Sequence, residues 1–383
     1  MEAPLHASRM LGQDRAVGAI AKAMLGGHVH HAWIFHGPFG VGKCTTAIEF
    51  ARLLLDPTVT REHIAAFAPP RESDDARLIS AGTHPDLHLI RKERTEESQI
   101  ASLRDKKQTN IPVDLLRELM LGGMIDGKSF DGSVWRTPYR GHGKVFIIDE
   151  AELLDEIGQN ALLKTLEEPP AGTTIILVTT REDRLLPTIR SRCQRVAFGS
   201  LDAASMTRWL READLPIDGE ARTWVERYAE GSPGAAVVAV RHEVHLWAKE
   251  LAPDLEAISR GRFVAGLGDR MAERIASCAE AVVKENDRAS KEAANRLGTR
   301  LLFGVLGQHV RDGIASAVAA GDLDVAERWG TIADVLVEAD EQVRRSLNLK
   351  QVLALLVARW VATWEVRRAP LGGVDAGMRA GRP

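Results

Sequence analysis

Ala32-Trp33-Ile34-Phe35-His36-Gly37-Pro38-Phe39-Gly40-Val41-Gly42-Lys43-Cys44-Thr45 runs from a continuously apolar segment through a glycine-rich turn into a helical pattern. An unbroken apolar run at Ala32–Phe35 is what a strand buried on both faces of a parallel sheet requires. The amphipathic stretch Thr46–Leu55 that follows reads as a helix. Strand, glycine turn and helix in that order can point successive backbone N–H groups at a phosphate on the helix N-terminus, because Gly37, Gly40 and Gly42 can take backbone angles closed to other residues.

The turn fits G-x-x-x-x-G-K and then departs from the pattern. Lys43 is placed to reach the β- and γ-phosphates of a nucleotide. The next position is normally Ser or Thr, whose hydroxyl serves a hard Mg²⁺ ion, and here it is Cys44. A soft thiol is a poor ligand for that ion. Thr45 lies one residue late, and a step of about 100° around a helix turns its hydroxyl elsewhere. The sequence therefore predicts a phosphate loop able to hold ATP or ADP, with a weakened Mg²⁺ site that Cys44→Thr should strengthen. An ordinary glycine-rich strand-to-helix turn is the plainer alternative.

Val145-Phe146-Ile147-Ile148-Asp149-Glu150 is a second apolar strand, ending in paired carboxylates. In that arrangement Asp149 holds the metal shell and Glu150 orients water for attack. The simpler reading has Asp149 capping a helix that begins at Ala151. Thr174–Val178 is a third buried-type strand, and helical segments between the strands complete an α/β pattern. The stretches around 53–85 and 91–139, rich in charge, Gly and Pro, read as surface loops and short helices of unassigned role.

The chain has 383 residues, more than a single hydrophobic core usually organises. A formal net charge of −3 gives the whole molecule no strong long-range attraction for phosphate backbones, so any DNA contact is local or shared. Its three cysteines, Cys44, Cys193 and Cys278, are neither paired nor spaced as a disulfide framework or zinc site, which fits a reducing cytoplasm. The opening Met1–Leu11 lacks the charge and apolar core of a signal peptide, and no apolar run reaches the ~20 residues that cross a bilayer.

After about Ser200 the pattern becomes helix upon helix. Asp202 and Asp218 are placed to cap two helices, Gly231 to end the second, and Ser232-Pro233 to start a third. Val325, Trp329, Ile332, Leu336, Ala339 and Val343 form one apolar helical stripe, which needs either a partner helix in its own domain or a neighbouring subunit. From Ala369 the chain has too little apolar mass to order itself.

Asn160–Pro170 (NALLKTLEEPP) and Leu185–Cys193 (LLPTIRSRC), with the strand in His30–Pro38, resemble the bacterial DNA polymerase III clamp-loader family of AAA+ proteins. The likeness runs from Leu11 to Phe198; beyond it only Gly231–Ala236 (GSPGAA) and Asn348–Leu356 (NLKQVLALL) match. It implies an α/β P-loop AAA+ domain with a parallel sheet and flanking helices over 1–199. A small helical lid over 200–243 and an all-α collar over 244–368 would follow, with a disordered tail over 369–383. By the same resemblance Arg192 is an arginine finger reaching a neighbour's ATP in trans. A guanidinium fork suits the charge spread over γ-phosphate oxygens, although a surface salt bridge is the plainer role. Thr180, or Thr179 beside it, would sense the γ-phosphate, and Lys164 would couple the subunits.

Three departures point to the delta-prime branch rather than the gamma/tau motors. Cys44 interrupts the loop, the lid segment Gly231–Ala236 has no arginine, and Leu53–Ile90 lacks the cysteines of a zinc module. The implied partners are gamma/tau-like and delta-like subunits, the sliding clamp and primer-template DNA, with no membrane. Two alternatives stay open: an active gamma/tau-like ATPase that uses Lys43, Asp149 and Glu150, and a P-loop enzyme acting on a small substrate.

Overall fold

A computed structural model describes residues 11–105, 109–286, 289–345 and 348–365. The expected tail over 369–383 lies outside the described residues. The chain divides into two compact units, one of residues 1–243 with 281–294, the other of 244–280 with 295–383.

The first unit opens with α1 (Asp14–Leu25), β1 (Ala32–His36), α2 (Lys43–Leu55), α3 (Arg61–Ala65), α4 (Asp74–Ser80) and β2 (Leu87–Ile90). An irregular stretch follows, with α5 (Ala101–Arg104), α6 (Val113–Leu116) and the hairpin β3 (Gly123–Ile125) and β4 (Lys128–Phe130). Then come β5 (Lys144–Ile148), α7 (Glu156–Glu167), β6 (Thr173–Thr179), α8 (Pro187–Arg190) and β7 (Gln194–Ala197). Three helices complete this part: α9 (Ala203–Glu212), α10 (Gly219–Ala229) and α11 (Pro233–Arg241). The remaining helices are α12 (Val244–Ile258), α13 (Leu267–Glu285), α14 (Lys291–Ala319), α15 (Leu323–Arg344) and α16 (Leu349–Glu365).

Five strands form one parallel sheet in the order β2-β5-β6-β1-β7. The central strands β1, β5 and β6 are buried along almost their whole length, which explains their unbroken apolar sequence. Alternate residues feed two cores. Ile34, Phe146, Ile148, Ile175 and Leu177 face one side with Leu162 and Leu166 of α7. Trp33, Phe35, Val145, Ile147, Ile176 and Val178 face the other with Phe50 of α2. This is the α/β phosphate-loop architecture with flanking helices, followed by an all-helical remainder.

The reading of 91–139 as surface is corrected. Ile111, Leu115, Leu116, Met120, Ile125 and Val134 from this stretch join the core beneath α7. Polar anchors fix it: the buried Lys144 ammonium donates to the carbonyls of Ser133 (2.8 Å), Val134 (2.7 Å) and Arg136, and the buried Asp86 carboxylate accepts from the amides of Tyr139 (2.7 Å) and Arg140 (2.8 Å). A buried charge is tolerable when it is this fully hydrogen-bonded.

Helix starts follow capping chemistry. Asp155, Asp202, Ser232 and Asp322 each accept from a backbone amide of the first turn, at 2.7, 2.7, 3.1 and 3.0 Å. Asp218 occupies the cap position of α10 without a side-chain bond, and the left-handed turn after α10 begins at Glu230 (φ 47°) before Gly231 (φ 74°).

In the second unit, Trp329, Ile332, Leu336 and Ala339 of the α15 stripe are buried, while Val325 and Val343 at its ends are half-buried. Trp329 meets Trp360 and Trp364 of α16 edge-on at 6.1 and 5.3 Å, and His309 of α14 at 5.5 Å. The stripe thus finds its partner inside its own unit. No helix of the described residues is long and apolar enough to cross a membrane.

Candidate functional site

Parallel α/β sheets place their ligand crevice at the carboxyl ends of the strands. There β1 runs into Gly37–Thr45, β5 into Asp149 and Glu150, β6 into Thr180, and β2 into Arg91. Gly37, Gly40 and Gly42 all have positive φ, at 142°, 71° and 99°, and Gly42 forms the left-handed entry to α2. The expected loop is therefore formed, at the helix N-terminus where an anion is favoured.

Around its crest the loop is stitched to the rest of the first unit. Buried Gln13 donates to Val41 O (3.1 Å) and Gly199 O (2.7 Å). Ser232 caps α11 and also donates its hydroxyl to Phe39 O at 2.7 Å, while the Gly234 amide donates to Gly40 O at 2.9 Å. The two glycines interlock. A Cβ on Gly40 would lie 2.6 Å from Gly234 Cα, and one on Gly234 would lie 2.5 Å from Gly40 Cα.

Lys43, only 5% exposed, turns its ammonium back into the loop and donates to Gly37 O (2.8 Å) and Pro38 O (2.5 Å). Burial lowers its pKa, opposed by the Glu152 and Asp149 carboxylates. A phosphate drawing this ammonium out would have to replace both bonds.

The residues expected to share a metal are held by a guanidinium. Arg91 places one NH₂ 3.0 Å from Cys44 Sγ and 3.0 Å from Asp149 Oδ2. Burial pushes the Cys44 thiol up to about 12, with the Asp149 carboxylate adding to the shift, so at neutral pH the sulfur is a neutral acceptor. Burial works against the charge on Arg91, yet its neighbours outweigh this and raise its pKa. With the thiol neutral, the attraction comes from Asp149. Next to it, Glu150 pairs with Lys92 Nζ at 2.5 Å and sits in a left-handed conformation (φ 54°).

A short 3₁₀ turn does begin at Ala151, but Glu150 holds its cap position and no side chain caps it; Asp149 Oδ1 accepts from the Glu150 amide (3.1 Å), and α7 starts later under Asp155. Thr180 donates from its amide (3.1 Å) and hydroxyl (2.5 Å) to Glu152 Oε1, while Thr179 is buried and its hydroxyl accepts from the Arg181 amide at 3.0 Å. Thr45 is half-buried and joins none of the bonds around Cys44. Lys164 is exposed on α7. Arg192, between α8 and β7, bonds Thr188 O (2.9 Å) and pairs with Glu167 at 2.5 Å, with 35% of its side chain exposed. The structure thus brings Lys43, Cys44, Asp149 and Arg91 into one cluster and sets Arg192 in a separate surface pair.

Sequence reading missed Arg91, Lys92, Gln13 and Gly234. Arg91-Lys92 carried only a weak signal, a basic pair directly after the short Leu87–Ile90 run, whose half-exposed strand shows little apolar pattern. Gln13 and Gly234 lay inside stretches singled out by resemblance, but their partners are distant in sequence.

Residues 12–202 match the family described as "DNA polymerase III, delta subunit". The chain is 33% identical over 213 residues to DNA polymerase III subunit delta' of Pseudomonas aeruginosa, covering 55% of this chain and 56% of that protein. It is 29% identical over 248 residues to DNA polymerase III subunit gamma of Buchnera aphidicola subsp. Schizaphis graminum, covering 63% and 60%. DNA polymerase III subunit tau of Escherichia coli is 28% identical over 295 residues, covering 76% and 40%. The chain therefore spans 40–60% of the length of these curated relatives.

Proposed function

The chain belongs to the DNA polymerase III clamp-loader family, and on that footing we propose that it is the delta-prime-like subunit of the loader. It has little or no ATPase activity of its own and donates Arg192 to the nucleotide of a neighbouring subunit. Its partners are gamma/tau-like and delta-like subunits, and with them it opens and loads the sliding clamp on primer-template DNA in the cytoplasm. ATP or ADP can occupy the loop without being turned over.

The observation that carries this reading is the engagement of every polar group that hydrolysis would need. Asp149 is tied to Arg91, Glu150 to Lys92 and Lys43 to its own loop, while Cys44 supplies a thiol where a hydroxyl is required. A base or metal ligand must be free to act when substrate arrives, and each of these would first have to give up a partner. The alternative, a gamma/tau-like motor, is favoured by the presence of Lys43, Asp149 and Glu150 and by the gamma and tau relatives.

Steady-state ATP hydrolysis by the purified chain separates the two readings. The expected result is turnover at background in the presence of Mg²⁺, unchanged by Lys43→Ala. Turnover that matches a motor subunit and disappears in Lys43→Ala would establish the alternative.

A further inference from the structure

We propose that the Arg91 guanidinium is a built-in replacement for the divalent cation of the phosphate loop, and that this site binds no metal of its own. The inference rests on reading Gly37–Thr45 as a phosphate loop, and it goes beyond a weakened metal site: the position is filled by the chain itself.

In the loop pattern, the residue after the lysine and the acid at the strand end share the metal. Here those residues are Cys44 and Asp149, and Arg91 lies between them with one NH₂ 3.0 Å from each. Its placement follows from the sheet. Ile90 pairs with Ile148 in register, and the Asp149 amide donates to Ile90 O at 3.0 Å, so the two strand ends leave side by side.

The chemistry of the acceptors fits a guanidinium better than Mg²⁺. A guanidinium presents directed N–H donors, which a sulfur and a carboxylate can both accept. Mg²⁺ demands oxygen ligands in a tight octahedron, and Cys44 offers none. Arg91 also neutralises the half-buried Asp149, which would otherwise be the charge that recruits a cation. A divalent ion entering beside it would meet a fixed like charge. Nε of Arg91 is buried and has no hydrogen-bond partner among the described residues, so the fork retains a spare donor inside the cluster.

Contrary to the expectation from sequence, Cys44→Thr alone should therefore leave the site closed to metal, because it restores a hydroxyl and leaves the guanidinium in place. The test is Mn²⁺ binding to the full chain, followed by electron paramagnetic resonance with and without ADP, in wild type, Cys44→Thr and Cys44→Thr/Arg91→Ala. The expected result is no site-bound Mn²⁺ in the first two. The double variant should gain one site, about tenfold or more tighter than any wild-type binding, that Asp149→Asn removes. Circular dichroism checks that each variant folds, and Cys44→Ser/Arg91→Met repeats the measurement should the first double variant not fold.

Tight Mn²⁺ binding in wild type that Asp149→Asn abolishes overturns the proposal without any need for the double variant. So does a site gained equally by Cys44→Thr alone, or folded double variants that gain none. Arg192 takes no part in these measurements, so failure here leaves the ring role standing, and loss of the ring role leaves this result unaffected.

Discussion

Two arginines stand in opposite settings at the residue scale. Arg91 is turned inward on Asp149, whereas Arg192 rests in a half-exposed pair with Glu167. Exposed pairs of this kind contribute about 0–1 kcal/mol, so Arg192→Ala should change unfolding free energy by less than about 1 kcal/mol in urea titrations. A larger loss would mean that the side chain is structural. His88 offers a separate check on the sheet edge. It stacks on Phe146 with ring centroids 4.5 Å apart, and burial drives its pKa down to about 4. A group depressed from about 6.5 in the unfolded chain holds fewer protons when folded, so its stabilising contribution is complete above pH 6.5 and is lost as pH falls toward 4. Urea midpoints measured from pH 7 to 4.5 should therefore fall less steeply in His88→Gln than in wild type; parallel curves would exclude His88 as the cause.

The element scale shows where the sequence could be read and where it could not. Central strands β1, β5 and β6 were legible because burial on both faces leaves no room for polar residues. Edge strands β2 and β7 were not, because partial exposure dilutes their apolar pattern. The phosphate loop was legible from local glycines, but its attachment to Gly234 and its guanidinium were not, since both depend on strands and helices meeting through the fold. Residues 111–134 misled because their core-facing side chains sit on short elements, a helix over 113–121 and a hairpin of three-residue strands, which give too few turns or alternations to show a period. Two alanine substitutions test the packing argument. Gly234→Ala should destabilise by about 1–3 kcal/mol, since its Cβ has no space against Gly40. Gly18→Ala in α1, where a Cβ meets nothing within 4 Å, should stabilise by about 0.5–1 kcal/mol. Equal shifts in thermal unfolding for the two would contradict the interlock.

Across the whole molecule, the proposed role uses a nucleotide fold for its shape and reach. The loop, its strand-end acids and its lysine are present but satisfied by neighbours within the first unit, and Arg192, proposed to act on a neighbour's nucleotide, is set apart from them. A subunit of the proposed kind would contribute by position in an assembly, so the proposal is tested there. The most direct measurement is DNA-stimulated ATP turnover by a loader reconstituted from this chain and the proposed gamma/tau-like and delta-like partners, comparing wild type with Arg192→Ala at equal complex formation. An arginine finger contributes a factor of about 10³ or more at the site it serves, so the expected result is a large fall in turnover with assembly intact. Unchanged turnover in a fully assembled Arg192→Ala complex would contradict the account.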